Sequence, residues 1–178
     1  MHPAVNKFCT EIRDRFPEHF KGARVLDCGS LDINGNNRYL FEDCDYTGID
    51  VGEGKNVDEV SLIHEHKTRI GDCGKLFSQV CCYDTIISTE AFEHDAHLRE
   101  SIKRIVKLLR PGGLFLFTCA TTGRHEHGTI ARSKSDCPLT EWDHYENVTP
   151  DMIEDLLNGH LDGEFRTVGT DLQYWGIK

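Results

Sequence analysis

The chain has 178 residues, of which 38% are hydrophobic and 28% charged, and this length predicts one domain spanning residues 1–178. Thirty acidic and twenty basic residues give a net charge of -10, which disfavours nucleic-acid binders and anionic-membrane binders, because both depend on clustered basic charge. No apolar run approaches the roughly 20 residues of a membrane helix, and the N-terminus lacks a secretory leader, so we expect a soluble cytoplasmic protein.

The first half of the chain alternates between predicted helices and strands. Apolar residues at helical spacing predict a helix from Val5 to Phe16, within an N-terminal segment 1–22, and Pro17 ends it. Short apolar runs separated by polar, glycine-rich turns predict the strands that follow. These strands are expected over 24–28, 46–51, 57–63 and 83–89, with short helices near 38–41 and 76–80.

The second half continues this alternation. A helix over 98–109 is followed by an almost wholly apolar strand over 114–118, as in the middle of a parallel sheet. Residues 120–147 follow neither the helical nor the strand periodicity, so they predict a long functional loop. A helix over 149–157 and strands over 164–170 and 173–177 complete a doubly wound α/β pattern, in which ligands bind at the carboxyl ends of the strands.

The first two predicted strands end in residues typical of nucleotide recognition. Asp27 and Gly29 close the first strand, and Ser30 and Gly35 lie in the polar turn after it. A strand that ends in glycine can present backbone N–H groups to a bound ligand. Asp50 ends the second strand, where an acid can accept both hydroxyls of a ribose. An ordinary turn flanked by two solvent-facing acids would show the same spacing.

Between residues 23 and 120, four parts of the chain carry further motifs. In chain order these are Leu26–Gly29, Asp50, Tyr83–His94 and Leu108–Leu114. Together they resemble the class I (Rossmann-like) S-adenosylmethionine-dependent methyltransferases. The Glu-His pair in the third segment and the Pro-Gly-Gly turn in the last are the most diagnostic. Leu31 and Ile33 replace the later glycines of the family's G-x-G-x-G turn, which leaves the path of the cofactor loop open.

The resemblance implies a Rossmann-like sheet of about seven mostly parallel strands, the last antiparallel, with helices on both faces. It also implies S-adenosyl-L-methionine as the cofactor and S-adenosyl-L-homocysteine as the product. In the family, the first and fourth strand ends lie near the methionine, the acid after the second binds the ribose, and residues after the third border the adenine. The cofactor-binding residues implied here are Asp27, Gly29, Ser30, Gly35, Asp50, Val51, Ile63, His64, Thr89 and Glu90.

Histidines and one acid are the candidates for acid–base chemistry. His94 is the first candidate general base, because an imidazole titrates near neutral pH and the resemblance places this residue near the reacting end of the cofactor. Glu93, beside it, and His127, from the long loop, are the further candidates for catalytic residues. A helix-start acid with a surface histidine is the alternative interpretation of the Glu93-His94 pair.

The loop over 120–147 is the candidate substrate-binding lid. Arg124 and His125 supply cationic groups, and Trp142 and Tyr145 supply rings that could stack on a sugar. Because Arg binds carboxylates and phosphates with two parallel hydrogen bonds, this composition favours an anionic acceptor. A solvated loop without a function is the alternative.

No bound metal is expected from the sequence. His125 and His127 form one H-x-H pair, and His64 and His66 form another. Neither pair has the two further ligands that a closed zinc site needs. We therefore expect an activity that does not depend on metal ions.

These observations predict a methyltransferase for a small-molecule or glycan-related acceptor. We also expect a homodimer, in which the second chain would add contacts to the substrate. A non-enzymatic regulatory protein that binds a nucleotide or S-adenosylmethionine is the alternative from another class. A nicotinamide-dependent oxidoreductase is disfavoured because the G-x-G-x-x-G turn is missing. A nucleic-acid methyltransferase is disfavoured by the acidic charge of the chain.

Overall fold

The computed structural model describes residues 3–67, 82–139 and 143–178, and these contain seven strands. The strands are β1 (Arg24–Cys28), β2 (Asp45–Asp50), β3 (Glu59–Val60), β4 (Tyr83–Thr89), β5 (Leu109–Ala120), β6 (Asp162–Val168) and β7 (Asp171–Ile177). They form one sheet in the order β3-β2-β1-β4-β5-β7-β6. β7 is antiparallel to both of its neighbours, whereas β1 to β5 pair in parallel. This topology confirms the predicted Rossmann-like α/β fold with an antiparallel last strand.

Helices cover both faces of the sheet. Successive side chains of a strand point to opposite faces, and adjacent residues of β1 are apolar, so each face offers an apolar surface for helices to pack on. α1 (Pro3–Arg15) packs on the face that carries Val25 of β1. α2 (Leu98–Leu108) and α3 (Glu154–Leu157) pack on the face that carries the next residue, Leu26. In the described part of the chain, no helix has the length and the apolar character needed to span a bilayer.

β3 is shorter than the sequence predicted. The expected strand covers 57–63, but only two residues pair with β2. The chain turns at Val57, whose N–H donates to the Gly54 carbonyl oxygen, and turns again in a 3-10 helix over Ile63–Glu65. The helix expected over 76–80 lies outside the described residues.

β5 is longer than the predicted strand over 114–118, and the helix expected over 149–157 is divided. Leu109 already pairs with Tyr83 ahead of a shift in register, so β5 begins before the glycine turn that was expected to precede it. A 3-10 helix over Pro150–Met152 precedes α3. Both differences concern element ends and leave the carboxyl edge of the sheet unchanged.

The turn after β1 depends on Gly29. Its φ of 79° lies in the left-handed region that favours glycine. A Cβ at this position would lie 2.4 Å from the Cβ of Ala91, far inside normal contact. The Gly29 N–H donates to the Ile49 carbonyl oxygen at 2.9 Å, which holds the turn against the end of β2.

We expect Gly29→Ala to destabilise the protein more than Gly159→Ala does. Gly159 has the same φ of 79°, but a Cβ there would have nothing within 4 Å. Because both variants share the backbone strain, their difference measures the clash with Ala91, which should cost about 1 to 3 kcal/mol of unfolding free energy. Urea denaturation gives this difference. Equal unfolding free energies would show that the turn accommodates a side chain without cost.

Candidate functional site

A cavity of about 450 Å³ opens at the carboxyl ends of β1, β2 and β4. This volume lies in the range of small-molecule sites. Nine of the ten residues that the resemblance implied as cofactor contacts line it: Asp27, Gly29, Ser30, Gly35, Asp50, Val51, Ile63, Thr89 and Glu90. His94, Arg124 and His127 line it as well.

Asp50 is held by the backbone at the end of β2. One carboxylate oxygen accepts a hydrogen bond from the Leu31 N–H at 3.0 Å, and the other accepts one from the Val51 N–H at 2.8 Å. Burial raises the pKa of Asp50, and these two hydrogen bonds oppose that effect. Each oxygen keeps a further lone pair, so the carboxylate can still accept two hydroxyl groups of a ligand.

Asp27 lies in a buried polar network with Tyr46 and Asn37. The Tyr46 hydroxyl donates to one of its oxygens, and the Asn37 side-chain amide donates to the other at 3.1 Å. The same amide also donates to the Thr89 hydroxyl at 3.1 Å. Burial raises the pKa of Asp27 to about 6, although both hydrogen bonds favour the ionised form. A cationic group bound beside the carboxylate would therefore stabilise its ionised form.

Asn37 is a lining residue that sequence reasoning missed. Its side-chain oxygen is buried and has no hydrogen-bond partner among the described residues, although the residue borders the cavity. An unpartnered buried acceptor is costly, so a donor from a ligand would be stabilising here. The sequence does contain a signal for Asn37, because two asparagines directly follow Gly35. The prediction, however, included only Ser30 and Gly35 from this turn.

The segment after β3 and the long loop supply further lining residues of the cavity. Ser61, Leu62 and Ile63 line it, but His64, which was also implied as a cofactor contact, does not. The chain enters the 3-10 helix at this point, so the His64 ring diverges from Ile63 and lies 4.4 Å from the ring of His97. Sequence reasoning also missed four loop residues in the lining: Asp136, Cys137, Pro138 and Leu139.

Arg124 lines the cavity, but its guanidinium group is engaged within the protein. It pairs with Asp171 at the start of β7, and its Nε donates to the Thr170 hydroxyl at 2.9 Å. A second ion-pair contact, of 3.7 Å, joins it to Glu90. An anionic acceptor would therefore have to compete with two carboxylates for this cation.

The other predicted substrate contacts differ in their positions. His125 is exposed and does not line the cavity. Trp142 lies outside the described residues. Tyr145 does not line the cavity either, but its ring centroid lies 4.9 Å from that of His127 and 5.6 Å from that of His94. Tyr145 therefore packs against the two histidine rings and does not reach the cavity.

Glu93, His94 and His127 come together where the cavity meets the long loop. The Glu93 carboxylate is fully buried, and one of its oxygens accepts a hydrogen bond from the Ala120 N–H at 3.2 Å. His127 Nε2 lies 4.0 Å from that oxygen, and the two imidazole rings are 5.1 Å apart and nearly perpendicular. Burial raises the pKa of Glu93, whereas burial, and then the neighbouring His127, lowers the pKa of His94 to about 4. His94 is therefore a neutral imidazole at neutral pH.

The charge of the lining is predominantly negative. Five carboxylates and one guanidinium group border the cavity within the described residues. The acids are Asp27, Asp50, Glu90, Asp95 and Asp136, and the base is Arg124. This balance favours neutral or cationic ligands over anions.

We expect Arg124→Ala to destabilise the protein, because the substitution leaves Asp171, whose side chain is only 6% exposed, without its guanidinium partner. Loss of one member of such a pair should cost about 2 to 4 kcal/mol of unfolding free energy. Arg132→Ala, an exposed change in the same loop, should stay within about 0.5 kcal/mol.

Thermal or urea unfolding of Arg124→Ala, Asp171→Asn and the double variant tests this pairing. The double variant should be less destabilised than the sum of the single variants, because the partners act together. Additive effects would show that the two side chains contribute independently.

Comparisons with known proteins give no sequence relative but several structural ones. No protein-family model matches the chain, and no curated protein matches it. A similar solved structure is the 1,6-didemethyltoxoflavin-N1-methyltransferase of Burkholderia thailandensis, bound to 1,6-didemethyltoxoflavin and S-adenosylhomocysteine. It is 16% identical with a TM-score of 0.63, and the match covers 99% of this chain and 78% of that chain.

Two further structures show the same likeness. The N-methyltransferase NodS of Bradyrhizobium japonicum, in complex with S-adenosylhomocysteine, is 16% identical with a TM-score of 0.60, and the match covers 99% of this chain and 88% of that chain. A phosphoethanolamine N-methyltransferase 2 of Haemonchus contortus, in complex with S-adenosylmethionine, is 19% identical with a TM-score of 0.60, covering 92% of this chain but only 38% of that chain. The chain has the fold of class I S-adenosylmethionine-dependent methyltransferases.

Proposed function

We propose that this protein is an S-adenosylmethionine-dependent methyltransferase with a small-molecule or glycan-related acceptor. The observation that carries the proposal is the convergence of nine strand-end residues on one cavity at the carboxyl edge of a methyltransferase-like sheet. Ligands bind at this edge in doubly wound sheets. A homodimer and a cytoplasmic location remain predictions from the sequence.

The cofactor would lie along the edge from β1 to β3. Asp50 would accept hydrogen bonds from the ribose hydroxyls, since the two backbone N–H groups fix its carboxylate. The apolar side chains of Leu62 and Ile63 would pack against the adenine. Asp27 and the unpartnered oxygen of Asn37 would accept from the ammonium group of the methionine moiety.

The proposed reaction is an in-line displacement at the methyl carbon of the sulfonium. A lone pair of the acceptor forms the new bond to carbon, and the carbon–sulfur bond breaks with its electron pair going to sulfur, which gives S-adenosylhomocysteine. Most of the catalytic effect comes from alignment of the two reactants. The proton of the acceptor would leave at the end of the cavity lined by His94 and His127, next to the buried Glu93, which does not itself line the cavity.

The charges of the lining bear on the acceptor. The sequence favoured an anion because of the basic residues in the loop, but Arg124 is paired with Asp171, and Arg132 and His125 are exposed. Apart from Asp27 and Asp50, which this proposal assigns to the cofactor, three carboxylates still outnumber the single guanidinium group among the described lining residues. We therefore propose a neutral or cationic acceptor in place of an anionic one.

Calorimetry against S-adenosylmethionine, S-adenosylhomocysteine and NAD tests the function class. We expect one site per chain for the first two ligands and no heat of binding for NAD. A labelled-methyl screen of acceptors then follows. Binding without transfer to any acceptor would favour the non-enzymatic alternative, and binding of NAD alone would contradict the proposal.

Replacement of Asp50 should weaken the binding of S-adenosylhomocysteine specifically. Asp50→Ala removes two acceptors from the ribose site, so the affinity should fall by about 1.5 to 3 kcal/mol, the scale of hydrogen bonds to charged groups. Asp45→Ala is the matched control, because Asp45 begins the same strand and its side chain is exposed. If both variants bind like the wild type while remaining folded, Asp50 does not contact the cofactor.

The affinity for S-adenosylhomocysteine should fall as the pH falls through 6. Below this pH the free protein carries a proton on Asp27, whose pKa burial raises to about 6, and that proton must leave when a cationic ammonium group binds. Affinity at pH 5 should therefore be about tenfold weaker than at pH 7.5. Asp27→Asn should remove this pH dependence. Calorimetry at the two pH values decides, and an equal pH dependence in both proteins would exclude Asp27 as its source.

A further inference from the structure

We propose that Glu93, His94 and His127 bind a divalent transition-metal ion at the acceptor end of the cavity, and that this ion holds a hydroxyl-bearing acceptor. The site itself stands on the geometry of the three side chains. Only its role toward the acceptor rests on the proposed methyl transfer.

The three side chains provide a suitable donor set at short range. One potential ligand atom from each residue lies within 4.8 Å of the others. Two imidazoles and one carboxylate are the donors of open catalytic zinc sites and of non-haem iron sites. Ligands bound about 2.0 to 2.1 Å from a zinc ion stand roughly 3.4 Å apart, so a small contraction would complete the geometry.

The Glu93 carboxylate is incompletely satisfied without a cation. The residue has no exposed surface, and its second carboxylate oxygen has no hydrogen-bond partner among the described residues. A buried polar atom without a partner is costly, and a bound cation would supply the missing interaction. This orphan oxygen is an observation independent of the spacing of the three residues.

His127 is oriented as a metal-binding histidine usually is. Its Nδ1 lies 3.1 Å from the carbonyl oxygen of His125, which fits donation from Nδ1 to that oxygen. Nε2 then keeps its lone pair and lies 4.0 Å from the Glu93 carboxylate. A backbone carbonyl that fixes the second ring nitrogen in this way is a common outer contact of metal ligands.

The long loop passes close to His94 through a glycine. Gly128 has a φ of 68°, and a Cβ there would lie 2.5 Å from Cε1 of the His94 ring. With any other residue at this position, either the His94 ring or the loop would have to move. Gly128 therefore allows His127, in the loop, to lie next to Glu93 and His94, in the turn after β4.

The surrounding charges favour a cation. Glu90, Glu93 and Asp171 contribute three carboxylates, and Arg124 contributes one guanidinium group that is already paired with Asp171. Because imidazole ligands suit zinc, iron, cobalt and similar ions, whereas magnesium and calcium take oxygen ligands, we expect a transition metal. Such an ion would bind an acceptor hydroxyl and lower its pKa, so that the proton leaves to solvent before the oxygen attacks the methyl carbon.

The sequence predicted no metal because the ligands are far apart in the chain. Glu93 and His94 follow β4, while His127 lies in the loop after β5. The H-x-H pairs that were considered diverge in the structure. His66 contacts the Tyr83 hydroxyl at 3.0 Å, and His125 is exposed. In the described ranges, Glu93, His94 and His127 form the group of three that meets the geometry of a metal site.

Metal titration of the full chain, without cofactor, tests the site directly. The EDTA-treated protein is titrated with Co²⁺ and followed by visible absorption, and with Zn²⁺ and followed by calorimetry. We expect one ion per chain, with affinity at least about tenfold weaker in His127→Ala and in the conservative variant Glu93→Gln. His125→Ala is the matched control, because it changes an exposed neighbour in the same loop and should bind like the wild type.

Thermal unfolding shows whether the variants remain folded and whether they bind Zn²⁺. Zn²⁺ should raise the melting temperature of the wild type and of His125→Ala, but not that of His127→Ala. The His127 side chain is 23% exposed, so we expect its truncation to leave the protein folded. Absence of binding in the wild type, or equal binding in His127→Ala, would overturn the proposal.

The metal site and the methyltransferase function can fail separately. Asp50→Ala should lose affinity for S-adenosylhomocysteine but keep its affinity for Co²⁺, since Asp50 is not among the three ligands. Once an acceptor is found, EDTA should abolish methyl transfer, and Zn²⁺, Co²⁺ or Mn²⁺, but not Mg²⁺, should restore it. Cofactor binding without metal binding overturns the metal site alone, and metal binding without cofactor binding overturns the proposed function alone.

Discussion

The parallel register of β1 with its two neighbours is the constraint on which the site depends. Cys28 of β1 is level with Ile49 of β2 and with Ser88 of β4. Because parallel strands all end at the same edge, the residues that follow them meet there without any further requirement. Gly29 then allows the chain to turn within contact of Ala91. The cavity is therefore a consequence of strand pairing, and its chemistry is a consequence of which residues end the strands.

The site has two parts that are built in different ways. The proposed cofactor part consists of strand-end turns, and backbone N–H groups position Asp50 within it. The proposed acceptor part depends on the loop after β5. This loop is held by the pairing of Arg124 with Asp171 and by the Glu146 N–H, which donates to the Glu93 carbonyl oxygen. In this proposal, side chains in the loop can change the acceptor while the cofactor part stays the same.

Many residues of the cavity lining could be predicted from the sequence because their signals are local. A strand followed by glycine or by an acid is visible within a few residues, and Gly29 and Asp50 both line the cavity as expected. The acceptor part could not be predicted in this way. Nothing in the local sequence shows that Arg124 pairs with a residue 47 positions away, or that His127 meets Glu93. His64 does not line the cavity for a local reason, since the chain enters a 3-10 helix at Ile63 and the His64 ring lies beside that of His97.

Hydrogen–deuterium exchange with and without S-adenosylhomocysteine tests the central claim most directly, because it locates the ligand along the chain. The account predicts slower exchange in peptides that cover residues 29–37, 49–52 and 89–95, which include the N–H groups that hold Asp50. Peptides from β6, beyond the cavity, should exchange at an unchanged rate. Protection confined to β6 or to the amino ends of the strands, or no protection at all at saturating ligand, would contradict the account.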